Sequence, residues 1–188
     1  MIELQAGQAL PLEHTRLRLG LGWDSEEGAG VISERKEVDL DVSAFQFAGT
    51  ELFDLAFYNN LATRDGSTVH LGDNLTGDGK GDDEQVTVDL TKVYRTVDRI
   101  AVLVSSYQGH SLEWVGRAYC RVVAVGEDPG GADEVELGRL TISGGIRETG
   151  VVLAALERTA EGWSFRGVGR GVEARVPTES VRAVRRAL

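Results

Sequence analysis

The chain has 188 residues, 41% of them hydrophobic and 27% charged, with a formal net charge of −10. That is ordinary globular usage, which excludes wholesale disorder and supplies enough apolar material for one domain that needs no disulfide. The acidic excess repels phosphate backbones, so nucleic acid is disfavoured as a partner and cations are favoured. No apolar stretch approaches the roughly 20 residues of a spanning helix, and no basic start runs into an apolar segment as an export signal would.

Taken in chain order, the pattern is one of short strands. Residues 15–21 form the first. Val38, Leu40 and Val42 then alternate with Asp39, Asp41 and Ser43, the period-2 sign of a strand with one buried face. Phe45 and Phe47 fall on the opposite parity, which predicts a β-bulge between Val42 and Phe45. Residues 52–58 continue the series, and Val86, Val88 and Leu90 alternate with Thr87 and Asp89. Further strands are expected at 99–106, 117–125, 134–141, 150–158 and 163–169. Between two of them, residues 126–133 with Pro129, Gly130 and Gly131 read as an exposed hairpin turn. Cys120, the sole cysteine, cannot close an internal disulfide, which fits a reducing compartment. Its apolar surroundings read as those of a small buried hydrophobe. At the end of the chain Thr178 is placed to cap a helix in which Val181, Val184 and Leu188 recur at helical spacing. Arg182, Arg185 and Arg186 form its solvated face. The resulting expectation is an all-β, single-domain antiparallel sandwich over 1–188, with a long metal-binding loop and a short C-terminal helix packed on a sheet.

The chemistry concentrates between the strands at 52–58 and Val86. This stretch holds Asn59, Asn60 and Asp65, then a glycine-rich run at 72–84 that includes Asp73, Asn74, Thr76, Asp78, Asp82, Asp83 and Glu84. Long loops in compact domains are usually functional or disordered. Carboxylates packed so closely in an ordered segment need a compensating cation. Calcium takes six to eight oxygens from carboxylates, amides, main-chain carbonyls and water, and the run offers every protein donor type. Magnesium prefers a stricter octahedron with retained waters, and zinc or copper want nitrogen or sulfur. His14, His70 and His110 show no ligand spacing and are read as surface or satisfied residues.

Competing motifs fail residue by residue. An EF-hand starting at Asp73 would meet Leu75 at its third position and Gly77 at its fifth. A phosphate loop needs lysine and then serine or threonine after its last glycine, whereas Lys80 is followed by Gly81. The alternative function is a metal-dependent hydrolase in which Asp82 and Asp83 hold the ion and Glu84 accepts a proton. No nucleophile stands with a base at recognisable spacing, so no catalytic residue is named and the expectation is a protein that is not an enzyme. Asp82 and Asp83 are expected to tolerate alanine in the metal-free fold, as loop residues would.

The order Gly20, Leu21, Gly22, Trp23, Asp24, then Asp39, Leu40, Asp41, Ser43, Ala44, Phe45, then Asn59 and Asn60, and finally GDNLTG and GDDE within 72–84, resembles the TerD-type tellurium-resistance and stress-response family. The resemblance implies a β-sandwich that binds Ca²⁺ through the acidic loop, acts as a non-catalytic sensor or scaffold, and is cytoplasmic or at the inner membrane face. The expected partners are calcium ions and proteins of a stress-response complex, with peripheral membrane contact through the bound ion or through Arg182, Arg185 and Arg186 as a further expectation. Matched to the family's motif, Asp73, Asn74, Thr76, Asp82, Asp83 and Glu84 are the first metal candidates and Asp24, Asp39 and Asp41 the second. Asp39 and Asp41 have independent support, since residues two apart on a strand share a face. Residues 176–188 depart from the family pattern, with an arginine-rich helix in place of a glycine-rich tail.

Overall fold

A computed structural model describes residues 1–25, 40–72, 82–126 and 134–188. Among these the chain forms β1 (Ile2–Leu4), β2 (Ala9–Leu12), β3 (Arg16–Ser25), β4 (Leu40–Ala48), β5 (Glu51–Ala56), β6 (Thr68–His70), β7 (Glu84–Asp89), β8 (Arg99–Ser106), β9 (Val115–Ala124), β10 (Val135–Ser143), β11 (Gly150–Thr159), β12 (Gly162–Val172) and α1 (Val181–Ala187). The strands lie in two six-stranded sheets, ordered β1-β10-β9-β3-β7-β6 and β2-β12-β11-β8-β4-β5. Pairing among the described strands is antiparallel apart from the parallel β1–β10 pair. The expected sandwich is present. β1, β2 and β6 were missed because three or four residues are too few to show a period.

Alternation builds the core. Leu17, Leu19 and Leu21 of β3 face Val42 and Ala44 of β4 and Val102 and Val104 of β8 in one apolar cluster between the sheets, with Val86, Val88, Cys120 and Val122 beside them. Cys120 is fully buried, as its neighbours suggested.

Two expectations are overturned. β4 pairs with β8 in unbroken register from Leu40 to Phe47, so no bulge separates Val42 from Phe45. The register shift on β4 lies between Gln46 and Phe47, against β5. The apolar pattern changes parity because β4 is buried on both faces. Leu40, Val42 and Ala44 enter the sandwich core, while Phe45 and Phe47 join a second cluster that includes Val184 and Ala187 of α1. The helix also begins later than expected. Thr178 sits in a 3₁₀ turn (Pro177–Glu179), and Ser180 is the N-cap, its hydroxyl donating back to the Val176 carbonyl at 2.8 Å. At the other end Arg166 donates to the Leu188 carbonyl and Arg170 to that of Arg186, meeting acceptors that a helix end leaves open.

The hairpin expected at 126–133 joins strands that do pair, Ala124 opposite Val135, although residues 127–133 lie outside the described residues. No helix among the described residues is long and apolar enough to cross a membrane.

Candidate cation site at one end of the sandwich

Register decides which chain ends meet. Leu21 of β3 pairs with Glu84, the first residue of β7, and Leu40 of β4 pairs with Ser106, the last of β8. A hydrogen bond from the Val42 amide to Glu84 Oε2 at 2.7 Å joins the two sheets there. The end of β3, the start of β4, the end of β6 and the start of β7 therefore lie at one end of the sandwich. Gly72, at φ 106°, turns the chain away from β6 in a conformation that favours glycine. Asp24, Asp41, Asp82, Asp83 and Glu84 all belong to this end. Asp24 lies on β3 opposite Arg117. Asp39, Asp73, Asn74 and Thr76 lie outside the described residues.

The three consecutive acids take three different directions. Asp82 folds over the outer face of the first sheet, where Arg121 grips both its oxygens at 2.7 and 2.9 Å. Arg18 approaches at 3.4 Å and the Tyr119 hydroxyl donates at 3.1 Å. Its side chain has no exposed surface. Asp83 donates its amide to the Leu21 carbonyl at 2.7 Å, and its carboxylate accepts the Trp23 amide at 2.8 Å, extending the β3–β7 contact to the residue before the start of β7. Glu84, 2% exposed, points between the sheets to the Val42 amide. That amide lies on the edge of β4 beyond the reach of β5, whose pairing begins at Ala44, so Glu84 satisfies a donor that would otherwise be buried and unpaired.

His70, which showed no signal in the sequence, closes this end from β6. Its Nδ1 accepts the Gly72 amide at 3.1 Å, so a neutral ring carries its proton on Nε2, which faces Glu84 Oε2 at 3.5 Å. Asp41 is on the outer face of the second sheet, opposite Ser105. Nearby, Tyr58 and Tyr107 meet edge to face at 5.9 Å, and the Tyr58 phenol is raised by burial first, then by Tyr107 and Asp41.

This geometry corrects the electrostatic premise drawn from the sequence. Repulsion among Asp82, Asp83 and Glu84 does not by itself demand a divalent ion, because two guanidiniums meet Asp82 and main-chain amides meet the other two. Nor is Asp82 a tolerant loop position, since its replacement would remove the bidentate acceptor of Arg121 and leave largely buried guanidinium N–H groups unmatched, even though Arg121 keeps Glu136 and Arg18 keeps Glu134. Hydrogen bonds to Asp82 favour the charged Arg121 and drive its pKa up. Burial and then Asp82 push the Tyr119 phenol up to about 12. Among the described residues no three His, Cys, Asp or Glu side chains converge as a metal-binding group.

The clamp residues Arg18, Tyr119 and Arg121 carried no motif. Their signal was the pair of glycines in the leucine-rich β3. A Cβ on Gly20 would sit 2.0 Å from Asp82 Oδ2, and one on Gly22 would sit 2.5 Å from the Tyr119 ring. Each glycine is the space another side chain fills.

The TerD domain model matches residues 1–178, ending before α1. The chain is 32% identical over 185 residues to tellurium resistance protein TerZ of Serratia marcescens, covering 93% of this chain and 92% of that one. It is also 32% identical over 188 residues to stress response protein SCP2 of Bacillus subtilis (strain 168), covering 90% and 92%. The crystal structure of a homologue of telluride resistance protein (TerD) from Streptomyces coelicolor A3(2) superposes with a TM-score of 0.66 over 89% of this chain and 95% of that one, at 22% identity, and so shares the fold. With a family match over most of its length and relatives of this identity spanning nearly the whole chain, the protein belongs to the TerD family of tellurium-resistance and stress-response proteins.

Proposed function

We propose that this chain is a non-catalytic calcium-binding module whose ion is taken up at the end of the sandwich where β3, β4, β6 and β7 meet. The observation that carries the reading is the fixing of Asp83 and Glu84, which are adjacent in sequence, by main-chain amides of different sheets, Trp23 in one and Val42 in the other. Carboxylate oxygens held at a seam between sheets are hard donors of the kind calcium uses, and Asp41 stands on the strand that Glu84 reaches. Asp73, Asn74 and Thr76 complete the proposed donor set, with Asp24 and Asp39 on the flanking segment. Calcium supplies positive charge here, and the chain supplies a preset frame. The names of the relatives place those proteins in tellurium resistance and stress response. For this chain the proposed role is the same kind of response, with the ion-ordered end read by a protein partner.

The test is titration calorimetry with Ca²⁺ and Mg²⁺, alongside melting curves with calcium and with chelator. Calcium at one hundred times its dissociation constant should add about 2.7 kcal/mol, or roughly 5–10 °C in melting temperature for a chain of this size. Asp83→Asn should weaken binding at least about tenfold. No heat of binding together with superimposable melting curves overturns the proposal.

A further inference from the structure

We infer that Asp82 is not a ligand of the ion but the anchor that positions Asp83 and Glu84, held by Arg121, Arg18 and Tyr119 against the glycine surface of β3. The inference rests on the calcium-site reading above.

The geometry supports this at each step. Both Asp82 oxygens are taken by the planar fork of Arg121, a bidentate pairing that fixes orientation as well as charge. Arg121 is itself held, its Nη1 donating to Glu136 at 3.0 Å, and Glu136 accepts Arg139 on the same face. Arg139 stacks 4.4 Å over the Tyr119 ring, so the hydroxyl that donates to Asp82 is fixed as well. Arg18 joins the group from β3 and also pairs with Glu134. The clamp thus spans β3, β9 and β10, three adjacent strands of one sheet. The absence of a side chain at Gly20 lets the carboxylate lie directly on the strand. A carboxylate that turned toward an ion would give up both fork bonds to Arg121, leaving that guanidinium only Glu136 and Arg18 only Glu134. By contrast, Asp83 and Glu84 reach main-chain amides at the seam, and the position of Asp82 sets where each begins.

The two roles predict opposite effects of Arg121. If Asp82 were a ligand, Arg121→Gln would release it and calcium binding would tighten or stay as it is. If Asp82 is the anchor, Arg121→Gln, Asp82→Asn and Gly20→Ala should each weaken calcium binding about 10-fold, the loss typical of groups that hold a ligand in place, with the number of bound ions unchanged. The double variant Asp82→Asn/Arg121→Gln should be no weaker than either single one, because the pair acts as a unit. Gly20→Ala alters no charge and so separates positioning from electrostatics. A second measurement is made on the intact chain in chelator: hydrogen exchange at the Asp83 and Trp23 amides, which should accelerate at least about 10-fold in all three variants while amides in the β8–β11 pair keep their protection. Unchanged or tighter calcium binding by Arg121→Gln overturns the anchor, as does unchanged exchange at Asp83 and Trp23. If the unaltered protein binds no calcium, the site reading fails, and the exchange measurement alone then decides whether the clamp fixes this segment.

Discussion

Gln46 joins the two sheets through polar contacts, as Glu84 does at the end of the sandwich. Fully buried on β4, its Nε2 donates to Ser67 Oγ at 2.7 Å and Thr68 Oγ1 at 3.0 Å, at the entry to β6 in the other sheet. Asp65 completes the cluster. Burial alone would raise its carboxyl, but hydrogen bonds from Ser67, Thr63 and Tyr94 outweigh that and hold it below its ordinary value. Glu136 is likewise depressed, with burial opposed by bonds from Arg139 and Arg121. A folded pKa below the unfolded one contributes stability above the unfolded pKa and loses it as pH falls through the folded value. The urea midpoint should therefore fall as pH drops from about 5 toward 2, and Asp65→Asn should flatten part of that fall; equal slopes for both proteins would refute it. Cys120 makes a second prediction at this scale. Burial, and then the nearby Asp82, push its thiol well above the usual range, so the reactive thiolate is suppressed. Iodoacetamide should leave the native protein unlabelled and modify it fully in denaturant, whereas rapid native labelling would contradict the burial.

Among the elements, β4 and α1 explain each other. A strand in a two-layer sandwich ordinarily keeps one face for solvent, and Phe45 and Phe47 would be stranded on that face without a cover. α1 supplies it, packing Val184 and Ala187 over Phe45, Phe47, Leu103 and Val152. Seven residues are too few for a helix to hold itself in water, so packing and the arginines at its C-terminal carbonyls sustain it. Val184→Asp should bury an unpaired carboxyl against those aromatics and cost on the order of 3 kcal/mol, about 10 °C in melting temperature. A loss within about 0.5 kcal/mol, as for a surface substitution, would show that the helix does not seal the sheet.

For the whole molecule, the net charge of −10 favours a cation but does not say where one binds. Antiparallel register brings residues far apart in sequence, Trp23, Val42, His70 and Glu84, to one end through bonds that cross between strands and sheets, and that end is the one proposed above to take up an ion. The strand pattern, the buried cysteine and the acidic run were legible in the sequence because alternation and composition are local properties. TerD membership was legible too, since its motifs are contiguous. What each acid does was not legible. Asp82, Asp83 and Glu84 look equivalent in a row, yet one meets arginines on the outer face, the next extends a ladder, and the third crosses to the facing sheet. The sequence by itself determined the sandwich and its acidic segment. Only the tertiary structure decided which charges are neutralised and by what, because a carboxylate's partner is set by which strands lie beside it, and strand neighbours come from pairing across the chain.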